Sequence, residues 1–481
     1  MTPIRGEQQP GFIEVMSNWL TSQSWYTPPK GRKKITRVGG LRLPAPEGDA
    51  DSRLFLEVHI LDIGHSEGTD RVSVPVSLRS RPSALAGKSA FIGKLASEEH
   101  GDIWVYDGTG DRAFLSAWVE MARRQQGSRN GRSRGEAFGG FQERDPFTIA
   151  LRKSSVDSPR NDVTSTVVEP EDSSPDADWE RKVLVEFFRR PSAVRDETLE
   201  ELLTLTQANS TAIAQVLGII SASWLRSPSG GVEWESGDLA VIREAAAQAE
   251  DAVTLAKTNL TSGGSFAEEA RSLGRALGTF HADLAGAFGA HPQTATQLKS
   301  MSQNAQQALS HQWSKVRGEF DEDEAADLNE VIDLMTMQLR SSDEPLTVQY
   351  IHGDLTLSDA HRVSDERWVF DEPAGFVEHA MAIRDVVTFL MAVANMVMET
   401  ASQEPETIVE GEDAPEPINY GLWYEQVSRA FMQGYRDSDA DTQGVDSVFF
   451  RAAMLSEALD LFSRWEGRWV FRPSMLLQVD S

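Results

Sequence analysis

Ile351-His352-Gly353-Asp354, with Asp359 five residues on and Arg367-Trp368-Val369-Phe370-Asp371 beyond, is the stretch that decides the reading of this 481-residue chain. It follows the apolar run from Val348 to Ile351. In a phosphoryl-transfer loop an H-x-D aspartate orients and deprotonates the attacking hydroxyl, and a side-chain oxygen five residues later meets a divalent cation. His352 and Asp354 are therefore the candidate catalytic residues. Asp371 closes a short predicted strand, where a second metal-binding acid belongs. Asp359 and Asp371 are the candidate magnesium ligands, since oxygen donors suit that hard cation. With 74 acidic residues, such spacings also arise by chance, so the reading depends on the rest of the chain.

Working outward, the segments before the loop are β-rich and those around it helical. Phe12 to Tyr26 has helical spacing. Leu54 to Ile60, Val72 to Leu78 and Ile103 to Tyr106 read as strands of a small sheet, closed by a helix near Leu115 to Met121. Arg123 to Gly140 is rich in Gly, Ser and Arg and reads as a linker or mobile loop. A second β-rich region runs from Phe147 to Phe188, interrupted by the acidic insertion Glu169 to Asp178. A leucine-faced helix (Leu199, Leu202, Leu203, Leu205) and the apolar run Ala214 to Ile220, a candidate strand, come next. Beyond Gly237 the periodicity predicts long helices over Asp238 to Lys257, Phe266 to Phe288, Thr294 to Val316 and Glu324 to Leu339. Ser402 to Pro417 reads as an acidic solvated loop. A β-rich lobe followed by a helical lobe is the order of the protein-kinase-like fold.

Composition narrows the chemistry. The chain is 40% hydrophobic, which suits packed cores and argues against extended disorder. It holds no cysteine, so disulfides, thiolate metal sites and cysteine nucleophiles are excluded. A net charge of −28 argues against nucleic acid and anionic membranes as partners. No apolar run long enough to span a bilayer and no secretion signal is legible, so a cytoplasmic location is expected. HExxH and P-loop elements are absent from the sequence. His281, on the apolar face of its helix, reads as a satisfied core histidine. Trp465 and Trp469 are four apart on a predicted helix, and serve as candidate sugar-stacking residues or as core.

These residues resemble the maltokinases and the related glucosamine kinases. Their catalytic loop is close to H-G-D-x-H-L-G-Q, with a D-F-E-G-E-P-type metal motif. Trp19-Leu20 through Trp25-Tyr26 and Lys30-Gly31-Arg32 are similar to the opening of that family's cap domain. Gly278 to Leu284 resembles its G-x-x-x-A-x-L-H helix, and Ile383-Arg384-Asp385-Val386 its P-L-R-D-V-A segment. The resemblance implies an α+β, protein-kinase-like two-lobed fold with an N-terminal α+β cap domain. The expected division is cap 1–123, linker 124–146, β-rich N-lobe 147–236 and helical C-lobe 237–481. It also implies magnesium and ATP as cofactors, a maltose-like sugar as acceptor and trehalose synthase as a partner.

Departures from the family's pattern fall on the nucleotide side. Its phosphate lysine lies in an L-K-L-F-R-R strand, where this chain has Leu184-Val185-Glu186-Phe187-Phe188-Arg189-Arg190. The resemblance therefore places Glu186 at the lysine position with its charge reversed, unless Lys153 carries that role. Lys182 is four residues earlier, roughly 13 Å along the strand. Asn161 to Thr166 takes the place of the nucleotide-covering loop, making Thr164, Ser165 and Thr166 candidate phosphate contacts. Phe471-Arg472-Pro473 stands where an N-R-P sugar-side motif is expected, so Arg472 is a candidate substrate contact. Two functions remain open: a kinase-like protein whose phosphotransfer is weak or absent, acting with trehalose synthase, and an active Mg-ATP-dependent sugar kinase making maltose 1-phosphate or phosphorylating a related sugar such as glucosamine.

Overall fold

Strand pairing and helix packing divide the chain into two compact units, Met1–Gln207 with Gln215–Ala245, and Ala208–Ala214 with Ala246–Ser481. The computed structural model describes residues 5–31, 33–84, 86–158, 160–172, 181–226, 233–246, 249–364, 367–373, 375–403 and 418–465.

In the first unit, α1 (Phe12–Leu20) precedes β1 (Lys34–Leu43), β2 (Phe55–His65), β3 (Gly68–Arg79), β4 (Phe91–Ser97) and β5 (Gly101–Asp107). Then come α2 (Arg112–Arg123), β6 (Ser133–Ala137), β7 (Leu151–Val156), β8 (Val163–Pro170), β9 (Val183–Phe188), α3 (Glu197–Gln207), β10 (Val216–Leu225) and β11 (Trp234–Glu244). They build one eleven-stranded sheet in the order β4-β5-β3-β2-β1-β10-β11-β9-β8-β7, with β6 also on β10. The expected small separate sheet is thus continuous with the strands that follow it. The join is narrow, because β1 and β10 pair only at Gly39 and Trp224.

The core follows the two-residue period of the strands. Val183, Val185 and Phe187 point inward from β9, and Phe187 stacks on Trp118 of α2 at 5.8 Å between ring centroids. The even residues, Glu186 among them, take the other face. Two expectations are corrected here. The stretch read as a linker supplies β6, whose Ser133 to Ala137 pair with Ala222 to Gly218, and it buries Phe141. Asp238 to Glu244, read as helix, is strand: β11 lies between β9 and β10, and those two ladders outweigh a sequence that suits either state.

The second unit contains β12 (Glu250–Asp251), α4 (Ala252–Thr261), α5 (Ala267–Phe288), β13 (Ala290–Pro292), α6 (Ala295–Val316), α7 (Glu322–Ser341) and β14 (Thr347–Ile351). β15 (Ala360–Arg362), β16 (Trp368–Phe370), β17 (Val377–Ala380), α8 (Ile383–Gln403), α9 (Tyr420–Arg436) and α10 (Val448–Arg464) complete it. Thr294 and Gln297 form a capping box that starts α6, and Asp321 caps α7. α5 crosses α9 at glycines: a Cβ on Gly434 would overlap the Arg271 carbonyl, and one on Gly274 the Phe431 carbonyl. That close approach brings His281 of α5 to Tyr435 of α9. α8 is long and apolar enough to cross a membrane by length and composition, but 61% of its apolar window is buried within the protein. The acidic run 404–417 and the insertion 173–180 lie outside the described residues.

Candidate functional site

Strand β14 delivers the catalytic-type loop, and a buried carboxylate holds the loop in shape. Asp385, fully buried near the start of α8, accepts from the backbone N–H of His352 and of Gly353, both at 2.8 Å. His281 adds an imidazole nitrogen at 3.2 Å from Asp385, its other nitrogen meeting the Tyr435 hydroxyl at 2.8 Å. His281 is thus a satisfied core histidine, as its position on the helix face implies. Gly353 has φ +91°, and a Cβ there would overlap Val377 Cγ2, so both the backbone and the space demand glycine.

This staple presents Asp354 to solvent, with no hydrogen-bond partner among the described residues. His352 is buried and reaches the Asp371 carbonyl through Nε2 at 3.1 Å, tying the loop's start to the strand that ends in the metal-type acid. The Asp371 N–H donates to the Asp359 carbonyl at 2.7 Å, which brings the two acids together at the backbone. The spacing read from sequence therefore corresponds to one local constellation of His352, Asp359 and Asp371.

Their carboxylates are occupied. Asp359 folds back on its own turn, Oδ2 accepting from the Thr356 N–H at 2.6 Å and the Thr356 hydroxyl at 2.7 Å. Asp371 Oδ2 lies 2.8 Å from Nε2 of His361. His361 sits on β15 two residues past Asp359, opposite Asp251 of β12. Burial lowers the pKa of this imidazole, but the hydrogen bond and charge of Asp371, with Asp251 and Asp359 behind it, outweigh burial and raise it overall. The imidazole of His361 therefore faces the carboxylate of Asp371, the candidate metal ligand. Oxygen donors of this kind suit magnesium by type, and Oδ2 of each carboxylate also has a partner within the chain. Among the described residues, the group that brings three metal-type ligand atoms within 4.8 Å of one another is Glu7, Glu57 and His59 of the first unit. Arg42 already pairs with Glu57 there, and Arg37 donates to His59 Nδ1 at 3.1 Å.

The nucleotide-side candidates belong to the first unit. Glu186 is half-buried on β9 and pairs with Arg243 of β11, Nε to Oε2 at 3.1 Å. The cation at this position therefore comes from the neighbouring strand and is bound to the carboxylate. Lys153 is turned to other partners: its ammonium donates to the carbonyls of Gly110 and Ala86, and burial lowers its pKa. Lys182 lies 3.5 Å from Glu169.

Thr164, Ser165 and Thr166, expected in a covering loop, lie within β8, so alternate residues face opposite ways. The Thr164 hydroxyl accepts from Arg189 at 2.8 Å, and that of Thr166 donates to the Thr109 carbonyl at 3.2 Å. Ser165 alone of the three shares a face with Glu186, directly across the strand pair. Asp162, in the preceding turn, pairs with Arg160 at 3.4 Å.

Of the sugar-side candidates, Trp469 and Arg472 lie outside the described residues. Trp465 caps the C-terminus of α10, half-buried, its indole N–H donating to Asn395 Oδ1 at 3.1 Å. That bond is a structural tether. Sequence reasoning missed Arg243, Thr356 and His361. The alternation of β15 offered one signal, since His361 is two residues from Asp359.

Comparison with known proteins agrees with this frame. Residues 19–111 match the maltokinase N-terminal cap domain. A solved glucosamine kinase in complex with glucosamine, ADP and inorganic phosphate superposes with a TM-score of 0.51 at 16% identity, covering 99% of both chains. A second crystal form of a glucosamine kinase gives 0.50 at 16% identity, covering 96% of this chain and 97% of the other. At that identity the likeness establishes the fold: a kinase-like α+β architecture with a maltokinase-type cap.

Proposed function

We propose that this chain is a sugar-kinase-like protein in which Mg-ATP phosphotransfer is weak or absent, so that the fold outlives the chemistry. The observation that carries the proposal is the 2.8 Å pair of His361 with Asp371. The His361 imidazole engages Oδ2 of Asp371, the carboxylate that a magnesium ion would need. The Glu186–Arg243 pair and the inward turn of Asp359 act in the same direction. The position where the resemblance expects a lysine thus holds a carboxylate already paired with Arg243. The cap match supports a role beside maltose metabolism, and the family resemblance of the sequence motifs suggests trehalose synthase as the partner to test.

A second reading, an active kinase for maltose or glucosamine, is favoured by one feature. Asp385 holds the loop in order, and Asp354 is exposed and unengaged, as a general base should be. In that reading Asp354 takes the proton of the acceptor hydroxyl and bound magnesium neutralises phosphate charge.

Thermal unfolding with and without Mg-ATP separates the two, because a ligand of the folded state raises the midpoint. The proposal expects no shift and no ADP release with maltose or glucosamine. A clear shift with sugar-dependent ADP release would establish the kinase instead. Co-purification tests the trehalose synthase association.

A further inference from the structure

We infer that the first unit carries a binding site for a phosphorylated monosaccharide, in the cleft where its sheet divides at Gly39. β10 carries β6 along Gly218 to Ala222 and meets β1 only at Trp224. Beyond Gly39 the edge of β1 therefore has no strand on that side, and a bulge between Arg37 and Gly39 turns the chain there. The opening is a cavity of about 490 Å³, lined by β1, the turn before β6 and the ends of β10 and β11.

Its lining has a chemical bias. Arg37, Arg42 and Arg132 contribute to it, together with Gln126, Asn130 and Trp234, and among the described residues no Asp or Glu does. In a chain of net charge −28, three arginines gather at this cleft, with Glu57 paired to one of them. The three differ in their commitments. Arg42 pairs with Glu57, and Arg37 bonds the His59 ring. Arg132 is exposed, and its guanidinium lies 3.5 Å from the ring centroid of Trp234, with no acid partner among the described residues. Trp234 is 41% exposed.

An indole packs on the apolar face of a sugar ring. Guanidinium groups take phosphate through paired, charge-assisted hydrogen bonds. Side-chain amides and an unpaired strand edge supply donors and acceptors for ring hydroxyls. A sugar phosphate uses all three, whereas inorganic phosphate leaves the indole idle and a neutral sugar leaves the arginines idle. This site is independent of whether phosphotransfer occurs in the second unit.

Calorimetric titration of the full chain at low ionic strength tests it, with glucose 6-phosphate, inorganic phosphate and maltose as probes. Glucose 6-phosphate should saturate one site more tightly than either of the others. Trp234→Ala and Arg132→Ala should each weaken it by about tenfold, and Arg132→Lys by less. Both side chains are exposed, and an unchanged melting midpoint checks that the variants fold. Binding that is indifferent to both alanine variants, equal affinity for inorganic phosphate or for maltose, or no binding of glucose 6-phosphate would each overturn the inference.

Discussion

The start of the catalytic-type loop and its metal-side end both depend on buried or half-buried carboxylates, and the two are treated in opposite ways. At the start, Asp385 collects two backbone N–H groups and an imidazole, so its charge fixes the path of the chain. At the far end, Asp359 and Asp371 carry the acids the chemistry would need, and Thr356 and His361 consume them. The contrast teaches that a loop's shape and its reactivity are separable. Shape persists wherever a buried acceptor satisfies the backbone, because leaving those donors unpaired is costly. Reactivity depends on what each carboxylate faces, and here Asp359 faces Thr356 and Asp371 faces His361.

The largest effect is expected from removing the staple. Asp385→Ala leaves two buried N–H groups and His281 without their acceptor, and should lower stability by about 3 to 5 kcal/mol in urea unfolding. Asp385→Asn, which keeps one acceptor oxygen, should cost less; an unchanged midpoint for the alanine variant would show that the loop's shape does not depend on this residue. Next comes the first unit's counterpart to the closed acids. Glu186→Lys sets two cations together beside Arg243 and should destabilise by about 3 kcal/mol, while adding Arg243→Glu should recover most of it in a double-mutant cycle.

Gly353→Ala should follow, at about 1 to 3 kcal/mol, since φ is positive and Val377 blocks the Cβ. His361→Leu bears on the metal-side end. It frees Asp371, so a Mg-ATP-dependent stabilisation of about 1 kcal/mol should appear in thermal melts where the parent protein shows none. A parent and variant that respond alike would separate His361 from metal binding.

A smaller effect concerns pH. The Glu57 carboxyl is pushed up by burial, but hydrogen bonds and charge from His59 and Arg42 bring it down to about 2. Its stabilisation is therefore complete above the unfolded value near 4.5 and lost as pH falls through about 2. The parent should lose about 1 kcal/mol more than Glu57→Gln by one pH unit below 4.5, read from urea midpoints across that range.

Much of the frame was legible because it follows short-range rules. The H-G-D spacing, the strands around Leu54 and Val72, and the helices of the second unit all arise from patterns of two or 3.6 residues that burial enforces locally. Asp238 to Glu244 was not legible, because Leu239-Ala240-Val241-Ile242 suits a helix as well as a strand, and only pairing with β9 and β10 decides between them. Ser133 to Ala137 failed for the converse reason: polar and glycine-rich, it becomes a strand only because β10 offers it an edge.

By itself the sequence determined which residue types stand at the phosphotransfer positions: His352 and Asp354 in the loop, acids at 359 and 371, and Glu186 where a lysine is expected. Only the tertiary structure decided what each charge faces. Arg243 reaches Glu186 from a strand more than fifty residues later, and His361 reaches Asp371 across a hairpin. Charge interactions depend on distance and burial, and neither is a property of position along the chain.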